Sequence, residues 1–353
     1  MHCSSVAAQR ACWQHSRSGR AAAGRTVRRR ATVCSAAATS GSALKLFSPS
    51  KINVFLRIVR RREDGYHDLA SLFHVIDLGD DMAFDELPRG AAADQLTCNM
   101  EGVPTDESNL VIKALNLFRA KTGRTQRFRV DLRKRVPHGA GLGGGSGNAA
   151  TTLWAANELC GRPASCEELL EWSGEIGSDI SVFFSHGAAY CTGSRGEIVE
   201  EVAPPLELAT PLLLVKPPVG LSTPEIFRAL DLGRRSTADP RDLLARLAAE
   251  GATQELTVND LEQPAFDRLP ALLELKRRLQ AEGGGYSSAF MTGSGSTIVC
   301  VGSDEVPAFL SEPQYSEMFV SPARLITRQP GQWYAAPSRG AAAAPPPAAA
   351  AVA

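Results

Sequence analysis

Several features are scarce or missing in this 353-residue chain, and each absence narrows what it can do. No run approaches the roughly eighteen consecutive apolar residues of a membrane-spanning helix. No C-x-x-C pair occurs among the eight scattered cysteines, which disfavours structural zinc and thioredoxin-like chemistry; buried thiols in a reducing compartment are expected. No Asp or Glu precedes Glu63, whereas seven arginines fall between Arg10 and Arg30, among serines and alanines. Arg-rich, acid-free and lacking an apolar stretch, residues 1–42 have the composition of an organelle transit peptide. The competing reading is a basic arm that binds nucleic acid. Without those seven arginines, 31 basic residues face 38 acidic ones, and the body carries about −7, with no global pull on polyanions.

With 44% hydrophobic and 22% charged residues, the rest has the composition of one large or two modest globular domains. The segment "KINVFLRIV" is β-rich, and alternation would put Lys51, Asn53 and Phe55 on one face. "LASLFHVIDLGDDMAF" reads as a strand or two, and "RFRVDLRKRVP" as a half-exposed strand ended by Pro137. Ser108 or Asn109 can cap a helix stopped by Gly123, and Ser165 with Glu168 forms a capping box. "APPLELATP" marks a boundary near residue 203, giving parts at 43–203 and 204–328. From about Gln329 the Ala/Pro-rich chain is expected to be a disordered tail, 329–353.

The chemistry concentrates in "VPHGAGLGGGSGNAATTLW", Val136–Trp154. Glycines let backbone N–H groups approach a ligand, and a helix behind them adds unpaired N–H donors and a positive dipole end, so the loop should hold phosphate. Ser146 or Asn148 could cap that helix, and the Ser146 hydroxyl could reach phosphate or Mg²⁺. A Walker A loop fails because no lysine follows the glycines. Gly139, Gly141 and Gly144 match the dinucleotide fingerprint literally, but the preceding strand alternates with charges. A dehydrogenase also needs an acid about twenty residues on, at a strand end, and Glu158 lies in a helical pattern. The third pattern, P-x-x-x-G-L-G-G-G-S, fits Pro137 through Ser146. A flexible linker fits poorly, because Leu142 interrupts the glycines and a helix follows at once.

Phosphoryl transfer to a hydroxyl further needs a base, cations and an acceptor pocket. "SPSKINVFL" offers Lys51 and Asn53, "EIGSDISVFF" offers Asp179, and "EDGYHDL" offers Tyr66 and His67. Each has a plain alternative: a solvated lysine, a helix-capping aspartate, a turn at Asp64-Gly65.

Taken in order, with "MTGSGST" near the end, these stretches resemble the GHMP kinase superfamily over roughly residues 45–328. "DGYH" with "GLGGGS" is similar to the branch that phosphorylates a cytidine-diphosphate-linked methylerythritol in plastid isoprenoid biosynthesis. The resemblance implies an α+β fold of two halves, the first like ribosomal protein S5 domain 2 and the second ferredoxin-like. It implies Asp179 as the base for the substrate's C2 hydroxyl, with Lys51 keeping that carboxylate charged. ATP phosphates would lie against Pro137, Gly139, Ala140, Gly141, Leu142, Gly143, Gly144, Gly145 and Ser146, with Mg²⁺ bridging the phosphates. Asn109 and Lys134 would contact the nucleoside. Asn53, Tyr66, His67 and Phe227 would hold the acceptor, the last three around its cytosine, while Gly293, Ser294 and Gly295 would close over its phosphates. Implied surroundings are the chloroplast stroma, the plastid import machinery through the leader, no nucleic acid or membrane, and a monomer or weak homodimer. Homoserine or mevalonate kinase is the same-fold alternative, and a nucleic-acid-binding module is the alternative from another class. Gly147, where the family has serine, and Ser50, where it has alanine, are departures.

Overall fold

The computed structural model describes residues 43–65, 67–194, 196–282 and 284–337. The leader 1–42, the end of the tail and Tyr66 therefore lie outside the described residues.

The chain opens with two long strands, β1 (Leu44–Arg61) and β2 (His67–Glu86), paired antiparallel along their length. The stretch expected as a strand or two is thus a single 20-residue strand. Then follow β3 (Gln95–Cys98), α1 (Leu110–Thr122), β4 (Phe128–Arg133), α2 (Gly144–Leu159), α3 (Cys166–Ser173), β5 (Ala188–Gly193) and β6 (Ile198–Glu201). β2 is the axis of this first sheet: β1 runs along one side, while β5 and β4 share the other, pairing with its two halves. The first sheet runs β3-β4-β2-β5-β6 with β1 added on β2.

β1 is buried without a break from Phe47 to Ile58, so its polar members must find internal partners. They do: Ser50 Oγ donates to Leu78 O at 2.6 Å, and Arg57 pairs with Asp260. Register shifts at Pro49/Ser50 and Asn53/Phe55 break the alternation. Consequently Phe55 does not join Lys51 and Asn53; it packs with Ile52 and Val54 in the apolar core.

The second sheet comes from β7 (Leu212–Lys216), α4 (Thr223–Arg228), α5 (Pro240–Glu250), α6 (Glu262–Arg268), α7 (Pro270–Glu282), β8 (Ser288–Met291), β9 (Ile298–Val301) and β10 (Phe319–Ala323). Its order β10-β7-β9-β8 is the 4-1-3-2 antiparallel arrangement of a ferredoxin-like half. The segment read as loop and strand near Met291 is a hairpin whose turn, 292–297, carries the last glycine motif. One apolar cluster backs the first sheet with α1, α2 and α3, another lies under the second sheet's helices. A third joins β1 and β2 to β7, β9 and β10.

Local signals account for most helix ends. Asn109 caps α1 by accepting from Val111 N, Gly123 ends it at φ 68°, and the Ser165–Glu168 capping box is formed. α2 differs: neither Ser146 nor Asn148 caps it. The N-cap is Gly143 in the left-handed region, and the helix begins at Gly144. The tail also differs. Within residues 329–337, Trp333 and Tyr334 pack into the first core, 9% and 3% exposed, while their neighbours are exposed. Two aromatics supply the apolar area that the flanking Ala/Pro composition lacks. Cys98, Cys160, Cys166, Cys191 and Cys300 are free thiols, and burial pushes Cys300 up to about 12.

Candidate active site

The turns at the ends of these elements enclose a cavity of about 930 Å³. Its walls bring together Lys51, Asn53, His67, Asn109, Lys134, Pro137, Gly139 through Gly145, Asp179, Phe227 and Gly293 through Gly295. Ser146 is not on the wall; it sits half-buried in the first turn of α2.

Lys51 is the hub. Its backbone N donates to Leu142 O at 2.9 Å, joining β1 to the glycine loop. Its ammonium donates to Asn53 Oδ1 at 2.7 Å and Gly141 O at 2.9 Å, and lies 3.2 Å from Asp179 Oδ2. The Lys51 side chain is 3% exposed, whereas that of Asp179 is 35% exposed and open to the cavity. Asp179 sits in the turn before a 3₁₀ segment, Ser181–Phe184, whose apolar residues anchor it in the first core. Among the described lining residues Asp179 is the only carboxylate; Lys51, Arg61, Lys134 and Arg228 line the same cavity, Lys134 with its charge matched by the buried Asp80. A concave wall with that balance concentrates anions such as nucleotide phosphates.

The glycine loop is fitted against its neighbours. A Cβ on Gly141, at φ 73°, would come within 2.2 Å of Thr292 O. Thr297 Oγ1 donates to Ala140 O at 2.7 Å, so the first and last glycine motifs are bound together. Gly147 also has a steric reason: its Cβ would lie 2.2 Å from Pro49 O, in the buried wall between α2 and β1.

At one end, His67 and Phe227 face each other with ring centroids 5.8 Å apart and planes at 37°. Burial, and secondarily Arg61, pushes the His67 imidazole below its usual range. At the other end, Asn109 is occupied by its capping role and by Pro104 O. Lys134 Nζ reaches Asp80 Oδ2 at 2.5 Å and Asn148 Oδ1 at 3.1 Å, so its charge is matched inside the wall. Asp80 Oδ1 also accepts from Arg135 N and Val136 N, at 2.7 and 2.9 Å, where the chain enters the glycine loop.

Two partners were not singled out from sequence. Asn259 Nδ2 donates to Met291 O at 2.7 Å and Gly293 O at 2.8 Å, pinning the last glycine motif. Thr223 Oγ1 lies 2.7 Å from Ser294 Oγ. The "VND" run around Asn259, an amide and an acid behind apolar residues, is the only local signal for the first.

Residues 109–190 match the family described as GHMP kinases N terminal domain. A Solanum lycopersicum protein named 4-diphosphocytidyl-2-C-methyl-D-erythritol kinase, chloroplastic/chromoplastic, is 54% identical over 301 residues. That span is 85% of this chain and 75% of the relative. The chain belongs to the 4-diphosphocytidyl-2-C-methyl-D-erythritol kinase family of GHMP kinases. A Protochlamydia amoebophila kinase of that name is 43% identical, over 83% of this chain and 93% of its own. A crystal structure of 4-(cytidine 5'-diphospho)-2C-methyl-D-erythritol kinase superposes with a TM-score of 0.61 at 26% identity, over 80% of this chain and 99% of that one. Homoserine kinase from Cytophaga hutchinsonii shares the fold, with a TM-score of 0.62 at 15% identity. Among the described residues, no helix is long and apolar enough to cross a membrane.

Proposed function

We propose that the chain transfers the γ-phosphoryl group of ATP to the C2 hydroxyl of 4-diphosphocytidyl-2-C-methyl-D-erythritol, in the plastid stroma. The observation that carries the reading is the Lys51–Asp179 pair, 3.2 Å apart, at the inner side of a glycine loop that continues into a helix N-terminus. Asp179 accepts the hydroxyl proton as the acceptor oxygen bonds to the γ-phosphorus and the bond from that phosphorus to the β–γ bridging oxygen breaks, releasing ADP. Lys51 balances the negative charge that gathers between acceptor and phosphoryl group. The amides of Gly143 to Gly145 and the α2 dipole hold the transferring phosphates. Phe227 stacks on the cytosine and His67 hydrogen-bonds its edge; the depressed imidazole pKa keeps His67 neutral near pH 7, able both to donate and to accept a hydrogen bond. Tyr66 is assigned to the same ring from the sequence alone.

The donor set fits a phosphate-borne Mg²⁺ better than a protein-held one. Among the described residues no cluster of three or more His, Cys, Asp or Glu exists, and Asp179 is the lone carboxylate on the wall. Bound through ATP, Mg²⁺ supplies charge neutralisation of the phosphates. The Ser146 hydroxyl, one residue past the lining glycines, is the nearest serine of the loop.

The test is the full chain assayed with Mg-ATP against a panel of acceptors: the cytidine-diphosphate methylerythritol, homoserine and mevalonate. Turnover of the first alone is expected. Turnover of either amino-acid or mevalonate acceptor at a comparable kcat/KM would overturn the substrate assignment.

A further inference from the structure

After β10 the chain leaves the second sheet and returns to the first. Ile326 N donates to Val75 O at 3.0 Å and Arg328 N to His186 O at 3.1 Å. Arg328 is 6% exposed, and every arm of its guanidinium is engaged. Nε donates to Ser185 O at 2.8 Å and Nη1 to Gln332 O at 3.0 Å, while Nη2 contacts Phe184 O and lies 3.4 Å from Cys166 Sγ. Tyr334 Oη donates to the same Ser185 O at 3.0 Å.

Phe184 and Ser185 close the 3₁₀ segment that begins two residues after Asp179. The end of such a turn leaves carbonyls without partners, and a cation with several fixed donors is the side chain that satisfies them together. Trp333 extends the contact. Its ring lies 5.2 Å from Trp154 of α2 and 5.8 Å, edge-on, from Phe184, and its Nε1 donates to Phe47 O of β1 at 2.9 Å. One short segment thus touches the far end of the 3₁₀ segment that follows the Asp179 turn, the helix that forms the phosphate cradle and the strand that carries Lys51. Asp179 needs such support: the only ion pair found for its carboxylate among the described residues is with Lys51.

We propose that Arg328 to Tyr334 is a positioning clasp, which fixes the Asp179 turn relative to Lys51 and α2 without touching substrate. The proposal rests on Asp179 acting in the transfer step. A displacement of about 1 Å at a reacting group can cost on the order of 10²-fold in rate, so loosening the clasp should fall on kcat. ATP affinity, set by the loop amides, should be spared.

The test uses the full chain carrying Arg328→Lys, which keeps the charge but cannot reach Phe184 O, Ser185 O and Gln332 O together. Expected is a fall in kcat of tenfold or more, normalised to protein that binds a non-hydrolysable ATP analogue, with the KM for ATP within threefold of the parent. A kcat reduced less than tenfold overturns the clasp, as does an ATP KM that rises in step with the loss, since that marks general loosening. If Arg328→Lys does not fold, Tyr334→Phe decides. It retains the packed ring and deletes only the hydroxyl; a kcat lowered more than twofold at constant ATP KM supports the clasp, and any smaller effect overturns it. A parent chain with no turnover at all would instead sink the functional reading.

Discussion

Replacing Asp179 with asparagine should separate chemistry from stability. The amide keeps the shape and removes charge and basicity. Lys51 loses a partner at 3.2 Å but keeps Asn53 Oδ1 at 2.7 Å and Gly141 O at 2.9 Å, so it is not stranded as a buried, unpartnered cation. Stranding would cost about 3–5 kcal/mol. An ion pair open to water on its 35% exposed side is worth at most about 1 kcal/mol, which moves Tm by roughly 2–4 °C. Losing a positioned base lowers kcat by about 10²–10⁴, or about 3–5 kcal/mol of barrier. The kinetic loss should therefore exceed the loss of stability several-fold. Coupled ADP-release assays at saturating ATP and acceptor, beside thermal melts, read both. A kcat within tenfold of the parent would refute the assignment of the base, and a melt lowered by more than about 8 °C would refute the claim that Lys51 remains satisfied.

Phe227→Ala should raise the KM for the acceptor by roughly 5–150-fold, the equivalent of about 1–3 kcal/mol of base stacking, with the KM for ATP unchanged; equal changes in both would refute the pocket assignment. Asn259→Asp puts a carboxylate oxygen where an N–H now donates to Met291 O and Gly293 O, at 2.7 and 2.8 Å. A cost of about 1–3 kcal/mol at the last glycine motif should lower kcat/KM by roughly tenfold or more, and an unchanged value would show that this motif needs no such anchor. His74 gives a pH effect. Fully buried, it donates from Nδ1 to Val75 O, leaves Nε2 without a partner, and burial pulls its pKa from 6.5 to about 4. The unfolded chain then binds the extra proton first, so stability is full above pH 6.5 and is lost as pH falls from there to about 4, by about 3 kcal/mol. Urea midpoints across that range should decline more steeply in the parent than in His74→Leu; parallel slopes would refute this account.

What sequence could reveal depended on whether the chemistry was local. The glycine loop is legible because its function is a backbone demand written in consecutive residues. Lys51 and Asp179 are individually unremarkable, and only the family likeness joined them, since nothing in their spacing says that a strand and a distant turn meet. The Phe55 face failed for a different reason: a bulge at Asn53/Phe55 resets the pleat, and no residue there announces it. The boundary at Gln329 failed because composition averages over a window. Trp333 and Tyr334 were visible, but the alanines and prolines around them outweighed the two side chains that the core takes in.

The misplaced cap of α2 is the most informative of these differences. A serine or asparagine at an N-cap occupies one of the first-turn N–H groups, and an acid there neutralises the dipole. α2 has neither: its cap is Gly143, no capping side chain accepts from its first-turn N–H groups, and that turn carries no acid. With glycine as the cap, an ordinary helix forfeits only a few tenths of a kcal/mol relative to serine or asparagine. Here the helix is held instead by near-complete burial from Gly147 to Asn157. Gly143, Gly144 and Gly145 at its start line the cavity, whose wall also carries Arg61 and Arg228. Leaving that terminus without a capping side chain therefore costs the helix little, and on the proposed reading it keeps the first-turn N–H groups free for the phosphates that a capping side chain would compete with.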